Sequence, residues 1–149
     1  MPATAAIQVT LVSVPVALFL RSADYHEELI RECSLLLVQE PSPDVDANIL
    51  RLAAELREQH EPLISSDAQV EAARTHGDDV VDLTFTLPSS ERHSIERLGE
   101  LLDEAERYCI DGKLLTMAPL PEISAFRRWF VQQLTSQLAG SLPVPWSTA

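Results

Sequence analysis

Glycine is scarce in this sequence, which holds only Gly77, Gly99, Gly112 and Gly140 among its 149 residues. No two of these glycines lie close enough along the chain to build a loop that cradles a phosphate group. The dinucleotide-binding and P-loop classes of nucleotide-binding protein are therefore excluded.

Histidine and cysteine are also few, with four and two residues respectively. No His-x-x-x-His or Cys-x-x-Cys pair occurs, and such spacings are what bring metal ligands together. A site built from His26, a neighbouring glutamate and Cys33 is the alternative, but an exposed helical histidine explains His26 more simply. Cys33 and Cys109 both fall on apolar helical stripes, so we expect buried free thiols. We predict no metal and no cofactor.

Positive charge is limited to 11 lysines and arginines against 23 acids, which gives a net charge of −12. Residues 113–149 contain Glu122 as their single acid, so the negative charge lies almost entirely in residues 1–112. A field of this sign repels phosphate backbones, and we predict no nucleic-acid binding. Solubility explains the acidity better than an acidic docking surface does.

Long apolar runs are missing as well. The run from Val9 to Leu20 is too short to span a bilayer and includes Ser13 and Pro15. No basic region precedes the first apolar residues, as it would in a signal peptide. We therefore expect a soluble cytoplasmic protein that does not bind membranes, folded as a single domain over residues 1–149.

Aromatic residues make up 5% of the chain, so the core must consist mostly of leucine, valine, isoleucine and alanine. Residues 120–146 nevertheless contain several of the aromatics. Pro121 suits a first helical position and Gly140 the position just after a helix end. Apolar residues between them recur at helical spacing and predict a central packing helix: Ile123, Phe126, Phe130, Leu134 and Leu138.

The rest of the chain shows both helical and strand periodicity. Alternation predicts strands over residues 7–12 and 81–87, and Leu114, Leu115 and Met117 suggest a short third strand. Apolar stripes predict helices over residues 16–38, 43–60, 66–75, 89–110 and 121–139. The sequence thus predicts a mainly helical α+β fold with about five helices and a small two- or three-stranded sheet.

The helix boundaries are predicted from capping residues and from residues that interrupt a helix. A break in the first helix near Ser22 is the one alternative to a continuous helix there. Ser42 and Pro43 are predicted to start the second helix, whose apolar stripe begins at Val45. Ser66 with Gln69 resembles a capping box for the third, and Ser89 or Ser90 is predicted to cap the fourth.

A two- or three-stranded sheet leaves a strand edge exposed and is marginally stable alone. Pairing of edges across a homodimer would remove both difficulties. We therefore expect a homodimer.

Catalytic patterns are weak. The Gly-x-Ser-x-Gly turn of a serine nucleophile is absent, and Ser89 or Ser90 with His93 and Asp103 is better explained by helix capping. The acidic run of Asp103, Glu104 and Glu106 is predicted to be the solvated face of its helix. We predict a non-enzymatic protein; an enzyme that uses His26, His93 and scattered carboxylates is the less favoured alternative.

The cluster Arg127-Arg128-Trp129, together with Trp146, is the predicted interaction site. Arginine forms bidentate bonds with carboxylates, and tryptophan is enriched at interface centres. The alternative is an intramolecular ion pair for the arginines and ordinary packing for Trp129.

Three segments resemble an actinobacterial family of small regulators: VPVALFLRSADYHEELIREC, DLTFTLP and LLTMAPLPEISAFRRWFVQQLTSQLAG. That family acts in stress-response partner-switching modules, alongside anti-sigma-factor kinases and their STAS-domain antagonists. The resemblance implies a signalling accessory domain without established catalytic residues. The chain lacks the ATP lid and Asp-x-Gly-x-Gly turn of the kinase. It also lacks the Asp-Ser-x-Gly loop of the antagonist, since Asp67 follows Ser65 and Ser66.

The first functional hypothesis is a regulatory domain that binds a protein, with a sigma-factor regulatory protein as the candidate partner. The second is a sensor that holds a small molecule in an apolar pocket between the last helix and the sheet.

Overall fold

The computed structural model of the chain describes residues 6–38, 47–59 and 67–147. The described residues form two strands and five α-helices, which confirms the predicted mainly helical α+β fold. The elements in chain order are β1 (Ala6–Pro15), α1 (Val16–Val38), α2 (Ala47–Gln59), α3 (Asp67–Thr75), β2 (Val80–Pro88), α4 (Arg92–Ile110) and α5 (Pro121–Leu138).

The strands β1 and β2 form an antiparallel pair in which Val9 lies opposite Phe85 and Leu11 opposite Leu83. These side chains are buried, whereas Thr84 on the alternate face is exposed, so the sheet has one packed and one wet face. An irregularity interrupts the register after Leu11, and Ser13 adopts a φ of 61° there.

The buried side chains form two hydrophobic clusters. The first joins the packed face of the sheet to α3, α5 and the start of α1. The second lies between α1, α2 and α4 and includes both cysteines. Helix α1 spans both clusters as one continuous helix, and Ser22, where a break was considered, is buried within it.

Helix α5 has the boundaries that Pro121 and Gly140 predict. Pro121 is the first helical residue, and Gly140 follows the helix with a φ of 101°, a conformation that favours glycine. Phe126 and Leu134 are buried against the sheet. No helix of the described residues is long and apolar enough to cross a membrane.

Two local predictions are wrong. Ser89 and Ser90 do not cap α4; they form a 3₁₀ turn with Glu91, and Glu91 precedes α4 without a side-chain capping bond. The segment from Leu114 to Met117 is not a third strand, because the sheet of the described residues has two strands. Ser42, Pro43, Val45 and Ser66, which were predicted to start α2 and α3, lie outside the described residues.

Candidate functional site

Arg127 lies in a buried ion network between α4 and α5. Its side chain is 4% exposed. Its Nε donates to Glu106 Oε1 at 3.1 Å, its Nη2 bonds to Asp103, and its Nη1 reaches the carbonyl of Gly99 at 3.4 Å. Glu106 is itself buried, so its predicted place on a solvated helix face is wrong. The intramolecular alternative therefore describes Arg127.

The second carboxylate oxygen of Glu106 faces the start of α5. Ser124 donates its hydroxyl to Oε2 at 3.2 Å, and Arg128 Nη2 lies 3.8 Å from the same atom. Arg128 remains 63% exposed. Of the two arginines in the predicted interaction site, Arg128 alone presents its charge to solvent.

Next to this network the surface has a polar groove of about 360 Å³ between α4 and α5. The two helices pack closely at Gly99, where an added Cβ would lie 3.0 Å from Val131 Cγ1. The groove is lined by Glu96, Gly99, Glu100, Asp103, Arg127, Arg128, Val131, Gln132 and Thr135.

The two tryptophans pack together beside α5. The ring centroids of Trp129 and Trp146 are 5.6 Å apart, and that of Trp146 lies 5.5 Å from that of Phe126, both pairs in edge-to-face geometry. The indole Nε1 of Trp129 donates to the carbonyl of Val144 at 3.1 Å. Trp129 therefore binds the segment that follows α5, and Trp146 packs that segment against Phe126, so both tryptophans have a packing role.

Two glutamines of α5 complete this arrangement. Gln137 bonds to both backbone groups of Thr10 in β1, and its Nε2 also donates to Gln133 Oε1 at 3.1 Å. Gln133 Oε1 in turn accepts the N–H of Val144 at 2.9 Å. This pair was not predicted; its sequence signal is two glutamines at i and i+4 beside the apolar stripe of one helix.

The connection between α4 and α5 is held by Glu32 of α1. Its carboxylate accepts the N–H of Leu115 at 2.6 Å and the N–H of Thr116 at 2.7 Å, together with the hydroxyl of Thr116 at 2.5 Å. These two backbone amides are therefore bound by a carboxylate and not by a neighbouring strand. This is the physical reason why the predicted third strand does not form.

The same connection exposes large apolar side chains. Leu115 is 93% and Met117 81% exposed, while their neighbours Leu114 and Thr116 are buried. Ile110 and Leu120, at the two ends of the connection, are also exposed. We call Ile110, Leu115, Met117 and Leu120 the connection patch. In the sequence its alternating apolar residues are typical of a strand, so they do not mark an exposed surface.

Both cysteines are buried free thiols, as predicted. Burial raises the pKa of the Cys33 thiol to about 11. Tyr25 donates its hydroxyl to Cys109 Sγ at 3.7 Å, and burial raises the pKa of Cys109 as well. At neutral pH both side chains are protonated, and the thiol form is a poor nucleophile.

His93 and Asp103 of the catalytic alternative are far apart. His93 is exposed, with its Nδ1 3.6 Å from Glu96, and it lies ten residues before Asp103 on the same helix, about 15 Å along its axis. Within residues 6–38, 47–59 and 67–147, no three histidine, cysteine or acidic side chains are grouped so that they could hold a metal ion.

The interface between α5 and the sheet, where the sensor hypothesis places an apolar pocket, is occupied by core side chains. Phe126 and Leu134 of α5 belong to the same buried cluster as Phe85 of β2. The sensor hypothesis stays a prediction.

Comparison with protein-family models, with curated proteins and with solved structures gives no significant match.

Proposed function

We propose that this chain is a non-enzymatic regulatory domain that binds a partner protein through the connection patch. One observation carries the proposal: Leu115 and Met117 are almost fully exposed on a segment whose backbone is fixed. Large apolar side chains that are exposed close together along the chain are more typical of a protein interaction site than singly scattered ones are. Leucine and methionine side chains also suit the water-excluding centre of an interface, where charged residues are depleted.

Pre-organisation supports the same function. Glu32 binds two consecutive amides of the connection, and Thr116 and Leu114 point into the protein. The segment is therefore ordered before any partner arrives, and binding costs little additional backbone entropy.

The chemistry of the patch indicates the kind of partner surface. Its side chains are apolar, so they favour a partner that presents an apolar surface of its own. The resemblance to regulators of partner-switching modules makes a sigma-factor regulatory protein the candidate. This assignment rests on the resemblance alone.

A double substitution tests the proposal. Leu115→Ser with Met117→Ser should preserve the circular dichroism spectrum and the melting temperature, because both side chains are solvent-exposed. The recovery of the native partner in affinity purification should fall at least tenfold. Leu142→Ser is the matched control, because Leu142 is 83% exposed outside the patch. Equal recovery with the double variant and the control would refute the proposal. Sedimentation that detects a dimer broken by the double variant would instead assign the patch to a homodimer.

A further inference from the structure

The segment that follows α5 is bound as a peptide ligand would be. Both backbone groups of Val144 are recognised by side chains of α5: its N–H by Gln133 Oε1 at 2.9 Å and its carbonyl by Trp129 Nε1 at 3.1 Å. The side chain of Val144 is exposed. These two bonds therefore recognise extended backbone, whatever the side chain at that position.

Two residues further on, Trp146 acts as an anchor. Its N–H donates to the carbonyl of Val12 in β1 at 3.0 Å, which extends the edge of the sheet by one strand-like bond. Its ring packs edge-to-face on Phe126 and Trp129. A backbone bond to a sheet edge with an aromatic side chain in an adjacent pocket is the pattern of β-augmentation.

Residues 141–147 lie between α5 and β1 as an internal ligand would, but one of their polar groups has no hydrogen-bond partner in the described part of the chain. The indole Nε1 of Trp146 is buried and, among the residues that the structure describes, has no hydrogen-bond partner. A buried donor left unpaired costs about 1–3 kcal/mol. Leu142 and Val144 are exposed, so the anchor and three backbone bonds carry most of the attachment.

The conformational restriction of the segment favours reversible binding. Pro143 and Pro145 restrict it to extended conformations, which lowers the entropy that it loses on binding. Gly140, with its φ of 101°, separates it from α5.

We propose that the groove between α5 and β1 is a recognition site for extended peptides, and that residues 141–147 close it in this structure. The partner is an extended, proline-containing segment with an aromatic residue two positions after the residue bound by Gln133 and Trp129. The side chains of α5 that form this site, Phe126, Trp129 and Gln133, do not belong to the connection patch, so the proposal is independent of the proposed function.

A labelled peptide in the sequence of residues 141–147, SLPVPWS, tests the proposal by fluorescence anisotropy. In the full chain the bound segment competes at an effective concentration in the millimolar range. Trp146→Ala removes its anchor, so the full-length variant should bind the peptide at least tenfold more tightly than the unsubstituted chain does. A peptide with alanine in place of tryptophan should bind neither protein, and the Leu142→Ala chain should behave as the unsubstituted chain.

Val144→Pro is a second variant, because it removes the N–H bound by Gln133 without touching the core. Circular dichroism identifies a variant that has lost its fold. If one variant has, peptide binding to the other variant tests the proposal. Binding of the peptide to a folded variant and not to the unsubstituted chain supports the site. Equal binding to all chains, or no binding to any folded variant at millimolar peptide, overturns it.

Discussion

Gln137 and Gln69 lie at opposite edges of the sheet in the same register. Gln137 accepts the N–H of Thr10 at 2.9 Å and donates to its carbonyl at 2.8 Å. Gln69 makes the matching bonds to Thr84, at 3.0 and 2.8 Å, and Thr10 and Thr84 are partners across the two strands. Each glutamine amide thus takes the place of one peptide unit of a further strand.

This arrangement bears on the expected homodimer. The expectation rested on a sheet edge without partners, and at Thr10 and Thr84 both edges already have partners within the chain. Because a two-stranded sheet is marginal alone, these side chains supply part of what additional strands would supply. The homodimer stays a prediction. Because the backbone groups of Thr10 and Thr84 are already bonded, strand pairing across a dimer is less favourable at these two positions.

The two glutamines should differ in their contribution to stability. Gln137→Ala leaves the part-buried backbone groups of Thr10 unpaired and should lower the free energy of unfolding by about 1–3 kcal/mol. Gln69→Ala should cost less than about 1 kcal/mol, because Thr84 is exposed and water replaces the lost bonds. Urea denaturation of both variants measures the difference, and equal losses would contradict it.

The buried ion pair between Arg127 and Glu106 should behave as a coupled unit. Glu106→Leu leaves the buried Arg127 with Asp103, and Arg127→Met leaves the buried Glu106 with Ser124. Each change alone should therefore be destabilising, but by less than the roughly 3–5 kcal/mol of a fully broken buried pair. The double variant should recover most of that loss, and a double-mutant cycle measures the coupling. Arg31→Ala is the control and should change stability by less than about 0.5 kcal/mol, since the exposed Arg31 pairs with Glu27 on its own helix. Additive losses for the pair would refute the coupling.

Stability should fall at alkaline pH because of Cys33. Burial raises the pKa of its thiol from 9.0 to about 11, so between these values the folded state binds the proton more tightly than the unfolded state. The contribution is complete below pH 9 and is lost as the pH rises to 11. Urea unfolding across this range should show a shallower decline for Cys33→Ala than for the unsubstituted chain. Parallel curves would show that Cys33 does not contribute.

Glu32 should control the order of the connection between α4 and α5. Glu32→Ala removes the acceptor of the Leu115 and Thr116 amides, so their hydrogen exchange should accelerate at least tenfold while amides in the centre of α5 stay unchanged. Glu27→Ala is the control on the same helix, because the exposed Glu27 lies 3.5 Å from Arg31, also on α1. Unchanged exchange at Leu115 and Thr116 would show that other contacts hold the segment.

Periodicity predicted most of the fold because it reports which face of an element is buried. The alternation around Leu83 and Phe85 predicted β2, and the stripe from Ile123 to Leu138 predicted α5. The same alternation around Leu115 failed, because a segment fixed by a carboxylate also points its side chains alternately in and out.

The candidate site was harder to predict, since its contacts join residues far apart in the sequence. Glu32 lies 83 residues before Leu115 and is one of 23 acids, so nothing local marks it. Glu106 is buried while Glu104, two residues earlier, is not, and their order in the sequence cannot distinguish them. Arg127 follows the buried Phe126 directly and lies beside the apolar stripe of α5 by helical phase, which agrees with its burial.

Photo-crosslinking from position 117 tests the central claim most directly. A benzoylphenylalanine in place of Met117, in cells that normally make the protein, should yield one discrete crosslinked partner. The same group at position 142 should not, and Leu115→Ser in the same chain should remove the adduct from position 117. Identical adducts from both positions, or an adduct that persists after Leu115→Ser, would contradict binding through the connection patch.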